Sequence, residues 1–137
     1  MLGLDLGQAR IGVAISDPAR LLAVPMGTVR TGAPGDVQAI AALVRDHAVT
    51  LVVVGLPLRL SGERGPEAAH AERFAQALGG FLGVPVELQD ERLSTVEAER
   101  GLRTAGVAGR RRREVIDQSA ATLILQSYLD RRRRGPR

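Results

Sequence analysis

The run Leu51-Val52-Val53-Val54 leaves no side of a strand fit to face water, and this constrains the fold more than any other stretch of the chain. Strand side chains alternate between two faces, so an unbroken apolar run belongs at the centre of a sheet covered on both sides. Helical periodicity on either side of the run can supply the cover. Val37, Ile40, Ala41, Leu43 and Val44 recur at helical spacing before it, and a second helical pattern runs from Glu67 to Leu82 after it.

The amino-terminal third reads differently. Two short apolar runs, residues 2 to 6 and 10 to 16, flank Gly7-Gln8-Ala9 and predict a hairpin, and a third run from Leu21 to Val29 completes an antiparallel meander. Gly32 to Gly35 is a turn cluster, and Leu58 to Pro66, rich in Gly, Ser and charge, reads as a mobile loop. Pro85 to Leu88 is a fifth strand, and Ser94-Thr95-Val96-Glu97 is a capping box that opens another helix. Gly106 to Arg113 reads as a basic loop, Glu114 to Asp130 as the last helix, and Arg131 to Arg134 as a tail. The order β-β-β-α-β-α-β-α-α predicts an α/β domain with a mixed sheet.

A length of 137 residues with 45% hydrophobic content fits one domain spanning residues 1 to 137, with a basic tail from about 131. Two Phe, one Tyr and no Trp argue against a single-strand reader built on an aromatic platform. With no cysteine, disulfides and thiolate metal sites are excluded, so a metal has to be held by oxygen or imidazole. No basic leader precedes an apolar run, and no apolar stretch approaches the ~20 residues that span a membrane. The expectation is a cytoplasmic protein with no membrane partner.

Charge is unevenly spread. Residues 1 to 91 carry seven Arg against ten acids, and residues 92 to 137 carry twelve Arg against five, a balance of −3 followed by +7. Every one of the 19 basic residues is Arg, whose planar fork binds phosphate bidentately. A basic carboxy-terminal third suits a polyanion such as nucleic acid, although a solvated charged face has the same composition.

Several carboxylates stand where charge is costly. Asp5 lies inside the first apolar strand, where an unpaired charge is destabilising; the alternative is a strand-end residue capping the Gly7 turn. Asp90 and Glu91 end the fifth strand, at the edge where sites in α/β folds gather. Because neighbouring strand residues point to opposite faces, only one of the two can share a face with Asp5, and spacing does not say which. Asp117, near the expected start of the last helix, shares an arc with Ala120, Ala121 and Ile124; a dipole-complementing acid would explain it too. Three carboxylates on separate elements suit two Mg²⁺ or Mn²⁺ ions, which prefer oxygen ligands and together clamp the attacking and leaving oxygens of a phosphodiester displacement. His47 and His70 fall in no ligand or triad pattern and read as surface histidines, and no Ser has a base at motif spacing.

Four segments in order resemble the YqgF/RuvX family of ribonuclease H-like nucleases. They are Leu2 to Asp17, including Asp5-Leu6-Gly7 and Arg10-Ile11-Gly12; Val53 to Leu58 with Gly62; Asp90-Glu91-Arg92 through Thr95 to Ala98; and Ile116 to Gln126, including Asp117 and Ala120-Ala121. The resemblance implies a ribonuclease H-like fold, with a five-stranded mixed sheet (antiparallel β1-β2-β3, parallel β4 and β5) flanked by helices. It also implies a catalytic and metal-binding set of Asp5, Glu91 and Asp117, choosing Glu91 over Asp90, with Arg10, Gly55, Pro57, Arg92 and Thr95 shaping the substrate cleft. The sequence departs from the family at Ala9, where a basic residue is common, which bears on one possible phosphate contact and on none of the carboxylates. Such proteins mature the 5′ end of precursor 16S ribosomal RNA or resolve Holliday junctions.

The expected activity is therefore a divalent-metal-dependent nuclease processing structured RNA, with Arg110, Arg111, Arg112 and Arg113 and the tail gripping phosphates. A resolvase of branched DNA would act as a homodimer, whereas an RNA nuclease can be a monomer. A catalytically silent RNA-binding module would not need the three carboxylates. An actin-like or sugar-kinase ATPase, which also carries Asp-x-Gly after its first strand, would need a second domain.

Overall fold

Alternation along the strands divides the apolar side chains between two cores, one on each face of a single sheet. Leu2, Leu4, Val52 and Val54 pack with Ile40, Val44, Ala71, Ala75 and Leu78 on one face, while Met1, Val53 and Ala14 pack with Ala121, Ile124, Leu125, Tyr128 and Leu129 on the other. The computed structural model describes residues 1–92 and 109–134, with side chains described at 1–92 and 120–133.

The strands are β1 (Leu2–Leu6), β2 (Arg10–Ser16), β3 (Ala23–Arg30), β4 (Val52–Leu56) and β5 (Val86–Asp90). Helices α1 (Gly35–Asp46) and α2 (Pro66–Leu82) cover one face, and the long helix α3 (Gly109–Arg134) covers the other. The sheet order is β3-β2-β1-β4-β5, with β1-β2 and β2-β3 antiparallel and β1-β4 and β4-β5 parallel. This is the mixed sheet the sequence predicts, and Val52, Val53 and Val54 are fully buried on β4, an interior strand between β1 and β5.

The carboxy-terminal region is corrected. Arg110 to Arg113 do not form a loop, and Arg131 to Arg134 are not a tail: both runs lie within α3. Arginine is a good helix former, so an arginine run has no reason to break a helix. Asp117 consequently lies beyond the first turn of α3, out of reach of the dipole effect that its placement near a helix start suggested. Smaller shifts occur elsewhere. Strand β3 begins at Ala23, leaving Leu21 and Leu22 exposed, and β5 runs on to Asp90. The capping box at Ser94 to Glu97 lies outside the described residues.

Helix α3 sits unusually close to the sheet because glycines face it. A Cβ on Gly3 would come within 2.7 Å of Leu125 Cβ and 3.1 Å of the Ala121 carbonyl, and one on Gly55 within 2.6 Å of Ile124 Cδ1. Tyr128 adds a polar anchor, its hydroxyl donating to Glu87 Oε2 on β5. Among the described residues no helix is long and apolar enough to cross a membrane.

Candidate active site

Each of the strands β1, β4 and β5 contributes to one patch at its carboxyl end, on the face covered by α3. Gly3 faces α3, so alternation puts Asp5 on that face as well. Asp5 pairs across the hairpin with Gly12, which has no side chain to crowd it. On the other side, Leu4 pairs with Val54, so Asp5 stands level with Gly55 of β4.

Glu91 completes the patch from β5. A Cβ on Gly55 would overlap Glu91 Oε2, so the Glu91 carboxyl occupies the space that glycine leaves, one strand away from Asp5. The glycine is required there by close approach of both Glu91 and Ile124. Burial, the Asp5 charge and then the Asp90 charge push the Glu91 carboxyl up from 4.5 to about 7. Near neutral pH the group is therefore poised between its neutral and ionised forms.

Asp90, one residue earlier, points the other way and is already partnered. Arg92 Nε donates to its Oδ1 and Oδ2 at 3.1 and 3.0 Å, and Nη2 to Oδ2 at 2.6 Å, while the Arg92 backbone N–H donates to Oδ1 at 3.1 Å. The Arg92 guanidinium holds the Asp90 carboxyl below the usual carboxylate range. Arg92 Nη1 also donates to the Leu60 carbonyl at 3.4 Å, tying the β4-α2 loop to the end of β5.

Two recesses flank the carboxylates. One of about 220 Å³ is lined by Asp5, Arg10, Gly12 and Thr28 among others. The larger, about 450 Å³, runs from Glu91 and Gly55 past Pro57 to the start of α2 at Pro66, Glu67 and His70. Gln89, two residues before Glu91 and level with Gly55, has a buried Oε1 with no hydrogen-bond partner, the one such side-chain atom among the described residues.

The profile of a family described as RuvX, Holliday junction resolvase, matches residues 1–131. The chain belongs to the RuvX family. A protein of Chloroflexus aggregans named "Putative pre-16S rRNA nuclease" is 52% identical over 134 residues, covering 97% of this chain and 94% of its own. One of Myxococcus xanthus with the same name is 53% identical over 133 residues, covering 96% of this chain and 88% of its own. Among solved structures, Thermus thermophilus RuvC in complex with a Holliday junction substrate aligns with a TM-score of 0.53 at 18% identity, over 96% of this chain and 94% of that one. That likeness is one of fold, and the fold is ribonuclease H-like.

In this RuvX family member, the residues expected at the site divide into three groups. Asp5, Glu91, Gly55, Pro57 and Arg10 lie in or beside the recesses at the carboxyl end of the sheet. Arg92 is adjacent but engaged with Asp90. The side chains of Thr95, Asp117 and Arg110, Arg111, Arg112 and Arg113 lie outside those described, and among the described residues no group of three or more His, Cys, Asp or Glu is placed to hold a metal ion. Glu67 and His70 line the larger recess, which sequence reasoning missed for His70 because helical periodicity marks only an exposed position. The available signal was their place just after the Gly-rich loop that follows β4.

Proposed function

We propose that this protein is a divalent-metal-dependent nuclease that hydrolyses phosphodiester bonds, acting on precursor 16S ribosomal RNA, with Asp5, Glu91 and Asp117 as the catalytic, metal-binding carboxylates. The observation that carries the reading is the convergence of Asp5 and Glu91 over Gly55, where burial first and the Asp5 charge second raise Glu91 to about 7. A cation held between two neighbouring acids on the packed face of a sheet relieves their mutual repulsion. Oxygen donors only, in a site without cysteine, fit Mg²⁺ or Mn²⁺. When bound, a pair of such ions would supply the activated water and the charge neutralisation that in-line displacement needs.

Helical spacing supports Asp117 as the third acid. From Tyr128, bonded to Glu87, to Ile124, beside Gly55, α3 runs toward its amino terminus as β5 and β4 run toward their carboxyl ends. Ala121 packs on Gly3, and one turn further along α3 is position 117, as two residues further along β1 is Asp5. Both steps cover about 6 Å. The arginines at 110 to 113, on the same end of α3, are placed in sequence to grip backbone phosphate beside that site. Arg10, at the rim of the smaller recess, has the same role.

The relatives' names favour ribosomal RNA as substrate, while the family description favours a junction. The deciding experiment offers purified protein a structured precursor 16S leader RNA and a four-way DNA junction, each with Mn²⁺, Mg²⁺ or EDTA. Metal-dependent cutting of the RNA alone, lost in Asp117→Asn, is the expected result. Paired nicks across the junction would make it a resolvase, with a homodimer as its working form. Absence of cutting in both substrates would leave an RNA-binding module.

A further inference from the structure

The larger recess extends well past Glu91, and its chemistry changes along its length. Leu6, Pro57 and Pro66 give it apolar walls, while Gln8, Glu67 and His70 stand on its rim. Away from Glu91 a phosphate is a poor occupant, because the Glu67 carboxylate that lines that part would repel it. A flat, neutral, partly apolar group with hydrogen-bonding edges fits instead.

We infer that this recess is a pocket for one unpaired nucleobase bearing an exocyclic amine, cytosine above uracil. The inference rests on the nuclease reading, since it seats the base beside the phosphodiester to be cut. The His70 ring supplies a stacking surface, and Phe74 lies against it with ring centroids 6.4 Å apart and planes 38° apart. The Glu67 carboxylate only accepts hydrogen bonds, so it suits the cytosine N4 amine and opposes the uracil O4 carbonyl in the same position. The Gln8 amide, at the turn of the first hairpin, supplies both a donor and an acceptor for the remaining edge. Thr31 Oγ1 donates to the Gly7 carbonyl at 2.9 Å, which holds that turn against the end of β3 and fixes the rim.

The test requires no cleavage. The chain has two histidines, and the other, His47, lines a separate pocket with Met1, Asp17 and Arg20, so their imidazole proton resonances give a probe and an internal control. Cytidine and uridine are titrated separately into the full-length protein at fixed pH. The expected result is a saturable cytidine-dependent shift of the His70 resonances with His47 unmoved, and uridine weaker by at least about fivefold. Glu67→Gln should bring the two nucleosides to within about twofold, with an unchanged His47 signal reporting an intact fold. Equal affinities for both nucleosides in the wild-type protein, no shift at His70, or equal shifts at both histidines would overturn the pocket. Because nothing is cut, such a failure leaves the nuclease reading standing, and a protein that binds cytidine but cuts no nucleic acid would break that reading alone.

Discussion

Asp90 and Glu91 are neighbours in sequence and opposites in environment. Asp90 faces away from α3, where Arg92 holds it ionised with three side-chain hydrogen bonds. Glu91 faces α3, is pressed into the space left by Gly55, and meets the acid Asp5. One residue of strand period separates a closed structural ion pair from an open, charge-hungry carboxyl. Two acids at the end of one strand can therefore differ in charge state through the face each takes, Asp90 lowered by Arg92 and Glu91 raised by burial and by Asp5.

The harshest way to break the comparison is to remove charge from the open side. Asp5→Asn is expected to lower kcat/KM for nucleic acid cleavage on the order of a thousandfold, about 4 kcal/mol of transition-state stabilisation, while gel-shift affinity stays within a few-fold, as the proposed arginine grip on phosphate predicts. Full activity in that variant would remove Asp5 from the site.

Next in size is Gly55→Ala, which leaves every acid in place but puts a methyl group where Glu91 Oε2 and Ile124 Cδ1 sit. We expect a loss of roughly a hundredfold in kcat, as for a misplaced catalytic group, with destabilisation of about 1–3 kcal/mol by urea unfolding. If the variant is destabilised with kcat intact, the close approach serves packing and not the position of Glu91.

The protonation of Glu91 makes a third comparison. With its folded value raised from 4.5 to about 7, the metal-free protein loses stability as pH rises from about 4.5 through about 7, since the unfolded chain ionises this group first. Glu91→Gln should flatten that slope in thermal unfolding. Metal affinity should run the opposite way, with Mn²⁺ binding measured by calorimetry rising about tenfold per pH unit below about 7 and levelling above it.

The smallest effect should come from Asp90→Asn. It frees Arg92 and removes one of the charges that raise Glu91, so the acidic limb of the pH-rate profile should move to lower pH with kcat changed only a few-fold. A loss as large as that of Asp5→Asn would place Asp90 in the chemistry.

Much of this arrangement was legible in the residues. The unbroken apolar run fixed a central strand, the Gly7-Gln8-Ala9 punctuation fixed the hairpin, and Asp5 stood out as a charge in an apolar strand. Arg110 to Arg113 and Arg131 to Arg134 were misread, because charge density was taken for irregular structure where arginine's helix propensity decides. His70 was passed over because an exposed helical position looks the same in sequence whether water or a cleft lies opposite.

Local sequence therefore determined the element types, the sheet's two-sided burial and the candidate acids, since periodicity and propensity act over a few residues. Strand spacing left open which of Asp90 and Glu91 meets Asp5; the family resemblance implied Glu91, and the tertiary structure supplies the physical reason. That choice depends on the register of β5 against β4, set by contacts between segments more than thirty residues apart where no local pattern reaches, which brings Glu91 over the space that Gly55 leaves.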